Sequence, residues 1–299
     1  MGLVFGVEKI AESDGPGTRT VFLLKGCRLR CWWCHSPEGQ RKQREILFFA
    51  SRCGDCAAQC LEKCSNGAIV LDGDRPSLDR KRCRSCGLCI DACEHGALEM
   101  SGWWMKIDEA IEIVERDRAE IGAAYGGVTV SGGDVTLQPE FAKQILEACR
   151  ERGIHTAIET NGAAPWSVLE PIADLADLIL YDLKHMDSQE HERFTGVPNT
   201  EIQANLRALV AKGAKVEVWM PLIPEFNDTD ANVRATVDFV ASLGLRRIGF
   251  HPFESFGREK YDALGRSYWL GHLGRQADPR IEEIRSLATS RGLDGWIVR

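Results

Sequence analysis

The chain has 299 residues, 37 basic and 44 acidic, and its formal net charge of −7 removes the basic field that duplex nucleic acid binding needs. With 44% hydrophobic and 27% charged residues, the composition is that of a globular chain with one large core or two domains and not of a disordered one. No apolar run approaches the roughly eighteen residues of a membrane span, and residues 1–6 lack a signal peptide's basic flank and a myristoylation signal's Ser or Thr at position 6, so the expectation is a soluble, cytoplasmic protein with neither membrane nor nucleic acid as partner.

In chain order, Asp14-Gly15-Pro16-Gly17 reads as a tight turn, and residues 20–25 as a short buried strand. The loop after that strand carries Cys27, Cys31 and Cys34. Residues 51–100 hold eight more cysteines in two groups, around the turn-like Asp72-Gly73-Asp74-Arg75-Pro76. Cys64-Ser-Asn-Gly-Ala68 and Cys93-Glu-His-Gly-Ala97 are the same element twice, an internal duplication of about thirty residues too short for a solenoid.

Beyond residue 100 the chain alternates. Apolar runs at 127–131, 155–158, 178–181, 216–220 and 248–250 end in Gly132-Gly133-Asp134, Glu159-Thr160-Asn161-Gly162, Asp182-Leu183-Lys184, Pro221 and His251-Pro252. Between them lie segments of helical period, such as Ile107, Ala110, Ile111 and Val114, or Ile202, Leu206, Leu209 and Val210. Pro139 suits a first helical turn, and Gly153 and Gly213 suit helix ends. Alternating strands and helices with polar residues at each strand's carboxyl end predict an α/β fold, a partial (β/α)6 barrel resembling the triosephosphate isomerase barrel with fewer than eight units. The expected division is barrel over 1–50, an insertion over 51–100, and barrel again over 101–299.

Twelve cysteines without a secretory signal point to metal. Cys83-x2-Cys86-x2-Cys89-x3-Cys93 has bacterial ferredoxin spacing, with Glu94 in place of the usual proline; Cys53-x2-Cys56-x3-Cys60-x3-Cys64 has one extra residue in its middle gap. In that pattern the fourth cysteine of each group reaches the other cluster. Cys53, Cys56, Cys60 and Cys93 are thus expected on one cluster, and Cys83, Cys86, Cys89 and Cys64 on the other. Two structural zinc sites are the alternative for the same thiols. The first group supplies only three thiolates, so a cubane there keeps one iron open, whereas a zinc ion there would have to be completed by the adjacent His35. Eleven cysteines therefore divide into three clusters, and Cys149 is left as a buried helical residue.

The triplet spacing after a strand, with Val130-Ser131-Gly132-Gly133-Asp134 and the strand-end motifs that follow, resembles the radical S-adenosylmethionine superfamily. More narrowly, the chain resembles the glycyl-radical-enzyme activating enzymes, the family of the pyruvate formate-lyase activating enzyme, in the subgroup with a two-cluster ferredoxin-like insertion. The resemblance covers nearly the whole chain. It implies an oxidoreductase that reduces S-adenosylmethionine and uses a 5′-deoxyadenosyl radical to take hydrogen from a glycine of a partner glycyl radical enzyme. It further implies that Cys27, Cys31 and Cys34 hold the catalytic 4Fe-4S cluster, whose open iron chelates the cofactor. Trp33 would lie by the adenine, Gly132, Gly133 and Asp134 by the methionine amino group, and Lys184 on the carboxylate. Glu159 and Asp182 match a pair that binds a monovalent cation. Asp14, Gly15 and Gly17 match an entry motif read here as a guide for the substrate loop. Asp134, Glu159 and Glu254 depart from the family's usual Glu, Asp and His. A flavodoxin or ferredoxin is the natural electron donor. The rival readings are a radical enzyme acting on a small molecule and a pure iron–sulfur electron carrier.

Overall fold

The computed structural model describes residues 1–298 other than 57, 74 and 124; the central residue of the expected turn, Asp74, thus lies outside the described residues. The strands of the first half are β1 (Gly2–Ala11), β2 (Arg19–Leu24), β3 (Glu45–Phe48), β4 (Ile69–Asp72), β5 (Arg75–Leu78), β6 (Leu98–Ser101) and β7 (Trp103–Met105). Those of the second half are β8 (Gly127–Gly132), β9 (His155–Thr160), β10 (Leu178–Asp182), β11 (Val216–Leu222), β12 (Arg247–Pro252) and β13 (Asp294–Ile297).

Nine of these form one sheet in the order β13-β12-β11-β10-β9-β8-β2-β1-β7. From β2 through β8 to β13 every pairing is parallel, as short apolar runs covered by helices require. Six strands, β2 and β8–β12, are each followed by helix before the next strand of the sheet, as expected of six β/α units. The structure adds β13 as a seventh parallel strand. It also adds β1 and β7, antiparallel at the other edge, so residues 1–11 are part of the sheet. Pairing of Leu24 with Gly132, of Tyr181 with Thr160 and of Asp182 with Trp219 sets the carboxyl ends of β2, β8, β9, β10 and β11 side by side. This edge positions the site.

The helices carry the expected apolar faces. Helix Ile107–Arg116 buries Ala110 and Val114, and helix Thr200–Ala211 buries Ile202, Leu206 and Leu209. Pro139 starts helix Pro139–Glu151, which buries Ile145, Leu146 and Cys149; Gly153 and Gly213 take positive φ just past helix ends. Among the described residues no helix is long and apolar enough to cross a membrane.

Between β2 and β7, residues 45–101 build a separate small core. β3 pairs with β6, β4 forms a hairpin with β5, and Ile46, Cys60, Ile69, Cys89 and Leu98 are buried together. The two halves repeat in detail. The Ala68 and Ala97 N–H groups donate to the sulfurs of Cys64 and Cys93, both at 3.2 Å, and Gly67 and Gly96 supply the same left-handed turn, φ 59° and 61°. A buried ion-pair network ties this unit to the barrel. The fully buried Lys25 Nζ lies 3.2 Å from Ser101 O and 3.6 Å from Glu45 Oε2, and Arg266 Nη2 holds Glu45 Oε1 at 2.8 Å. Burial pushes the Lys25 ammonium down to about 8 in spite of Glu45.

Candidate active site and cysteine centres

A cavity of about 350 Å³, within the usual range for a small-molecule site, opens at the carboxyl ends of the parallel strands. The loop after β2 places Cys27, Cys31, Trp33 and Cys34 on its wall. That loop is pinned from both sides: the N–H groups of Gly26 and Cys27 donate to Gly39 and Gln40 O, and those of Arg30 and Trp32 to Thr195 and Phe194 O. Tyr261 OH donates to Cys31 O at 3.2 Å. Burial pushes all three thiols up, Cys31 to about 12, with Lys184 opposing the rise there. Such thiols ionise only against strong positive charge. Three of them in one cavity therefore fit a cluster that supplies it.

Gly132 and Gly133 also line the cavity, and the structure supplies a packing reason for both. A Cβ at Gly132, φ 118°, would stand 2.2 Å from Leu24 N, and one at Gly133 would stand 2.2 Å from Gly26 O. The glycines thus let β8 close onto the cysteine loop. Asp134 is buried and occupied: it accepts from the N–H of Thr136 at 2.9 Å, from Thr160 Oγ1 at 3.0 Å and from the N–H of Asn161 at 2.8 Å. Burial raises its pKa against these bonds.

From the next strands come Glu159, Asp182 and Lys184, all on the cavity wall. Lys184 Nζ is 2.8 Å from Asp182 Oδ2; burial alone would lower the ammonium's pKa, but Asp182 and Cys31 outweigh it and the net shift is upward. Glu159 accepts from Ser131 Oγ, and burial together with Asp182 and Asp14 pushes it up to about 8. Asp14 reaches the same cavity beside Glu8, and burial plus Glu8 lifts it to about 6. Its turn is fixed by Thr129 Oγ1, which donates to Asp14 O at 2.7 Å, and by Arg19 Nη1, which donates to Pro16 O at 2.9 Å. Gly15 (φ 123°) and Gly17 (φ 66°) shape that turn and are absent from the cavity wall.

The eight cysteines of residues 45–101 surround two other voids. Cys53, Cys56, Cys60 and Cys93 line one, and Cys64, Cys83, Cys86 and Cys89 the other, each set crossing between the two halves of the duplication. Among the described residues no three His, Cys, Asp or Glu side chains converge closely enough to hold a single metal ion. The thiols rim spaces instead of meeting at a point. His35, the proposed completing ligand of a zinc site, has its Nε2 2.8 Å from Glu254 O.

Sequence reasoning missed several wall residues. The rings of His251 and Trp219 meet tilted at 59°, with 4.7 Å between centroids, and Gln40 and Phe253 also line the cavity. Trp219 and His251 sit near the carboxyl ends of β11 and β12, the same strand-end position as the other wall residues, and that position was the available signal. Glu254 lies off the wall, 3.7 Å from Arg275. In the tail, Trp296 belongs to β13 and packs against the Trp219 cluster, Trp269 is exposed with its ring 6.3 Å from that of Trp32, and His272 is exposed.

Comparison with known proteins gives the family and the fold. Residues 80–240 match the family model of the Radical SAM superfamily. An isethionate sulfite-lyase activating enzyme of Oleidesulfovibrio alaskensis is 39% identical, with 91% of this chain and 90% of that one covered. A (2S)-3-sulfopropanediol dehydratase activating enzyme of Klebsiella oxytoca is 36% identical, with 98% and 95% covered. Among solved structures, Streptococcus suis SuiB bound to its precursor peptide SuiA shares the fold, with a TM-score of 0.55 at 13% identity over 93% of this chain and 47% of that one. The chain belongs to the radical S-adenosylmethionine superfamily, among the activating enzymes of glycyl radical enzymes.

Proposed function

We propose that this enzyme activates its glycyl radical partner with three 4Fe-4S clusters: a catalytic one on Cys27, Cys31 and Cys34, and two auxiliary ones in a ferredoxin-like insertion between two barrel segments, expected over residues 51–100 and widened by the pairing of β3 with β6 to 45–101. The observation that carries the reading is the single cavity that gathers the triad together with Gly132, Glu159, Asp182 and Lys184 from successive strand ends. When bound, the catalytic cluster and S-adenosylmethionine supply the means of removing a hydrogen atom from a glycine.

The chain's own residues orient the parts. Lys184 offers a fixed positive charge to the cofactor's carboxylate, and Asp182 keeps it charged. Gly132 and Gly133 present backbone to the amino group, and Trp33 packs beside the adenine. Glu159 and Asp182 form the pair for a monovalent cation. Asp14 accepts N–H bonds from the backbone of the incoming glycine loop. Electrons arrive from a flavodoxin or ferredoxin through the insertion, whose crossed cysteine sets support two clusters.

Anaerobic reconstitution should load about twelve iron and twelve sulfide per chain. Reduced protein should then cleave S-adenosylmethionine, and with its cognate enzyme give a glycyl radical by electron paramagnetic resonance. Cleavage without a glycyl radical on any candidate partner would move the assignment to a small-molecule substrate.

A further inference from the structure

Two side-chain amides on the cavity wall reach sulfurs of the cysteine triad, Gln40 at Cys34 and Asn161 at Cys27. Asn161 Nδ2 lies 3.6 Å from Cys27 Sγ, within range of an N–H···S bond. Its orientation is settled by the other end of the amide: Oδ1 accepts from the N–H of Ala163 at 3.0 Å, so the NH₂ must face the sulfur. The backbone of Asn161 is held as firmly, because its N–H donates to Asp134 Oδ2 at 2.8 Å while Asp134 also binds Thr136 and Thr160. On the facing side, Cys27 N–H donates to Gln40 O at 2.9 Å. Asn161 is only 5% exposed, so little water competes for the bond.

We infer that Asn161 is a positioning residue acting through Cys27: its amide N–H stabilises the reduced catalytic cluster, and the Asp134 carboxylate aims it. A hydrogen bond to a cluster's sulfur offsets the negative charge gained on reduction and so raises the potential. Auxiliary sulfurs such as Cys64 and Cys93 receive main-chain donors from Ala68 and Ala97, whereas Cys27 has a side-chain amide in addition to the main-chain donor Leu29. The side-chain donor on Cys27 is thus an adjustment of the catalytic centre made by the β9 end, as Gln40 makes one at Cys34 from the loop after β2. It also accounts for Asp134, whose carboxylate is spent on fixing the loops after β8 and β9.

The inference rests on the proposed function in taking Cys27 as a cluster ligand. The test is a redox titration of the full, reconstituted chain followed by electron paramagnetic resonance, in which the signal that responds to S-adenosylmethionine marks the catalytic cluster. Asn161→Asp keeps the shape and the acceptor for Ala163 but removes the donor, and Asn161→Ala removes both. Both should shift the responsive signal's midpoint to more negative potential, Asn161→Asp further, and leave the auxiliary signals in place. An unmoved midpoint in both variants overturns the tuning role. So does failure of Asn161→Asp to assemble the catalytic cluster while the auxiliary clusters load normally, which would make the residue purely structural. Absence of any responsive signal in the unsubstituted protein would instead refute the triad's assignment, and the inference with it.

Discussion

The triad's cavity and the small core of residues 45–101 both concentrate cysteine, and they treat it differently. In the small core, four thiols close each void, and sulfurs such as Cys64 and Cys93 take hydrogen bonds from main-chain N–H groups of a duplicated turn. In the cavity, three thiols occupy one wall and the remaining walls carry glycine, carboxylate and lysine from separate strands. A closed donor set suits a cluster that only passes electrons, and an open one suits a cluster that binds a substrate. Local repetition is enough to build the first. The second needs a sheet whose register brings distant strand ends together.

The sharpest way to break this contrast is to remove one sulfur from each setting. Cys31→Ala should lose about four of about twelve iron and abolish glycyl radical formation, with the auxiliary clusters still loaded. Iron analysis and electron paramagnetic resonance check both halves; a residual radical yield would show that the triad is not the catalytic centre. Cys86→Ala should also lose about four iron, slow turnover, and leave S-adenosylmethionine binding intact, measured by equilibrium dialysis. If binding disappears while the triad's cluster survives, the small core is part of the cofactor pocket and the two regions are not separate in function.

A smaller effect is expected at Asp14, which lines the cavity from the turn before β2. Asp14→Ala should keep its clusters and its slow cleavage of S-adenosylmethionine, yet lower the glycyl radical yield on the order of tenfold, the worth of one charge-assisted hydrogen bond. Burial and Glu8 lift this carboxyl from the usual 3.8 to about 6, so the charged acceptor is lost as pH falls through about 6. The yield of the unsubstituted enzyme should decline over that interval, and the variant's should not. Stability runs the other way. A carboxyl whose folded pKa is raised favours the fold at low pH, and its contribution disappears as pH rises from 3.8 through about 6.

Much of this was legible in sequence because its signals are local. The cysteine spacings anticipated both crossed sets, and the polar residues after each apolar run anticipated the cavity wall. What could not be read depended on long-range pairing. β3 joins β6 across some fifty residues, so Ile46 enters a core that the cysteine count alone would begin later. β1 shows no clean alternation and is a strand because β2 and β7 flank it. The run 20–25 reads as a buried strand, but the partners that let Lys25 be buried with it, Glu45, Ser101 and Arg266, come from distant segments. Asn161 was visible in its motif, but its aim at Cys27 depends on Asp134 and Ala163 together.

The smallest expected effect concerns the cysteine that belongs to neither region. Cys149 is fully buried in helix Pro139–Glu151, and burial pushes its thiol up to about 12. It shares its helix's apolar face with Ile145 and Leu146 and lines none of the three cysteine-walled cavities, so it acts as a small apolar side chain. Cys149→Ala should therefore keep the full iron content and the full glycyl radical yield, and lose about 1 kcal/mol of stability from the vacated volume. Thermal unfolding of the variant and its iron count give the two readings. Loss of four iron would place this helix at a cluster after all and make the eleven-cysteine division wrong; a stability loss with iron unchanged would confine metal to the two regions compared above.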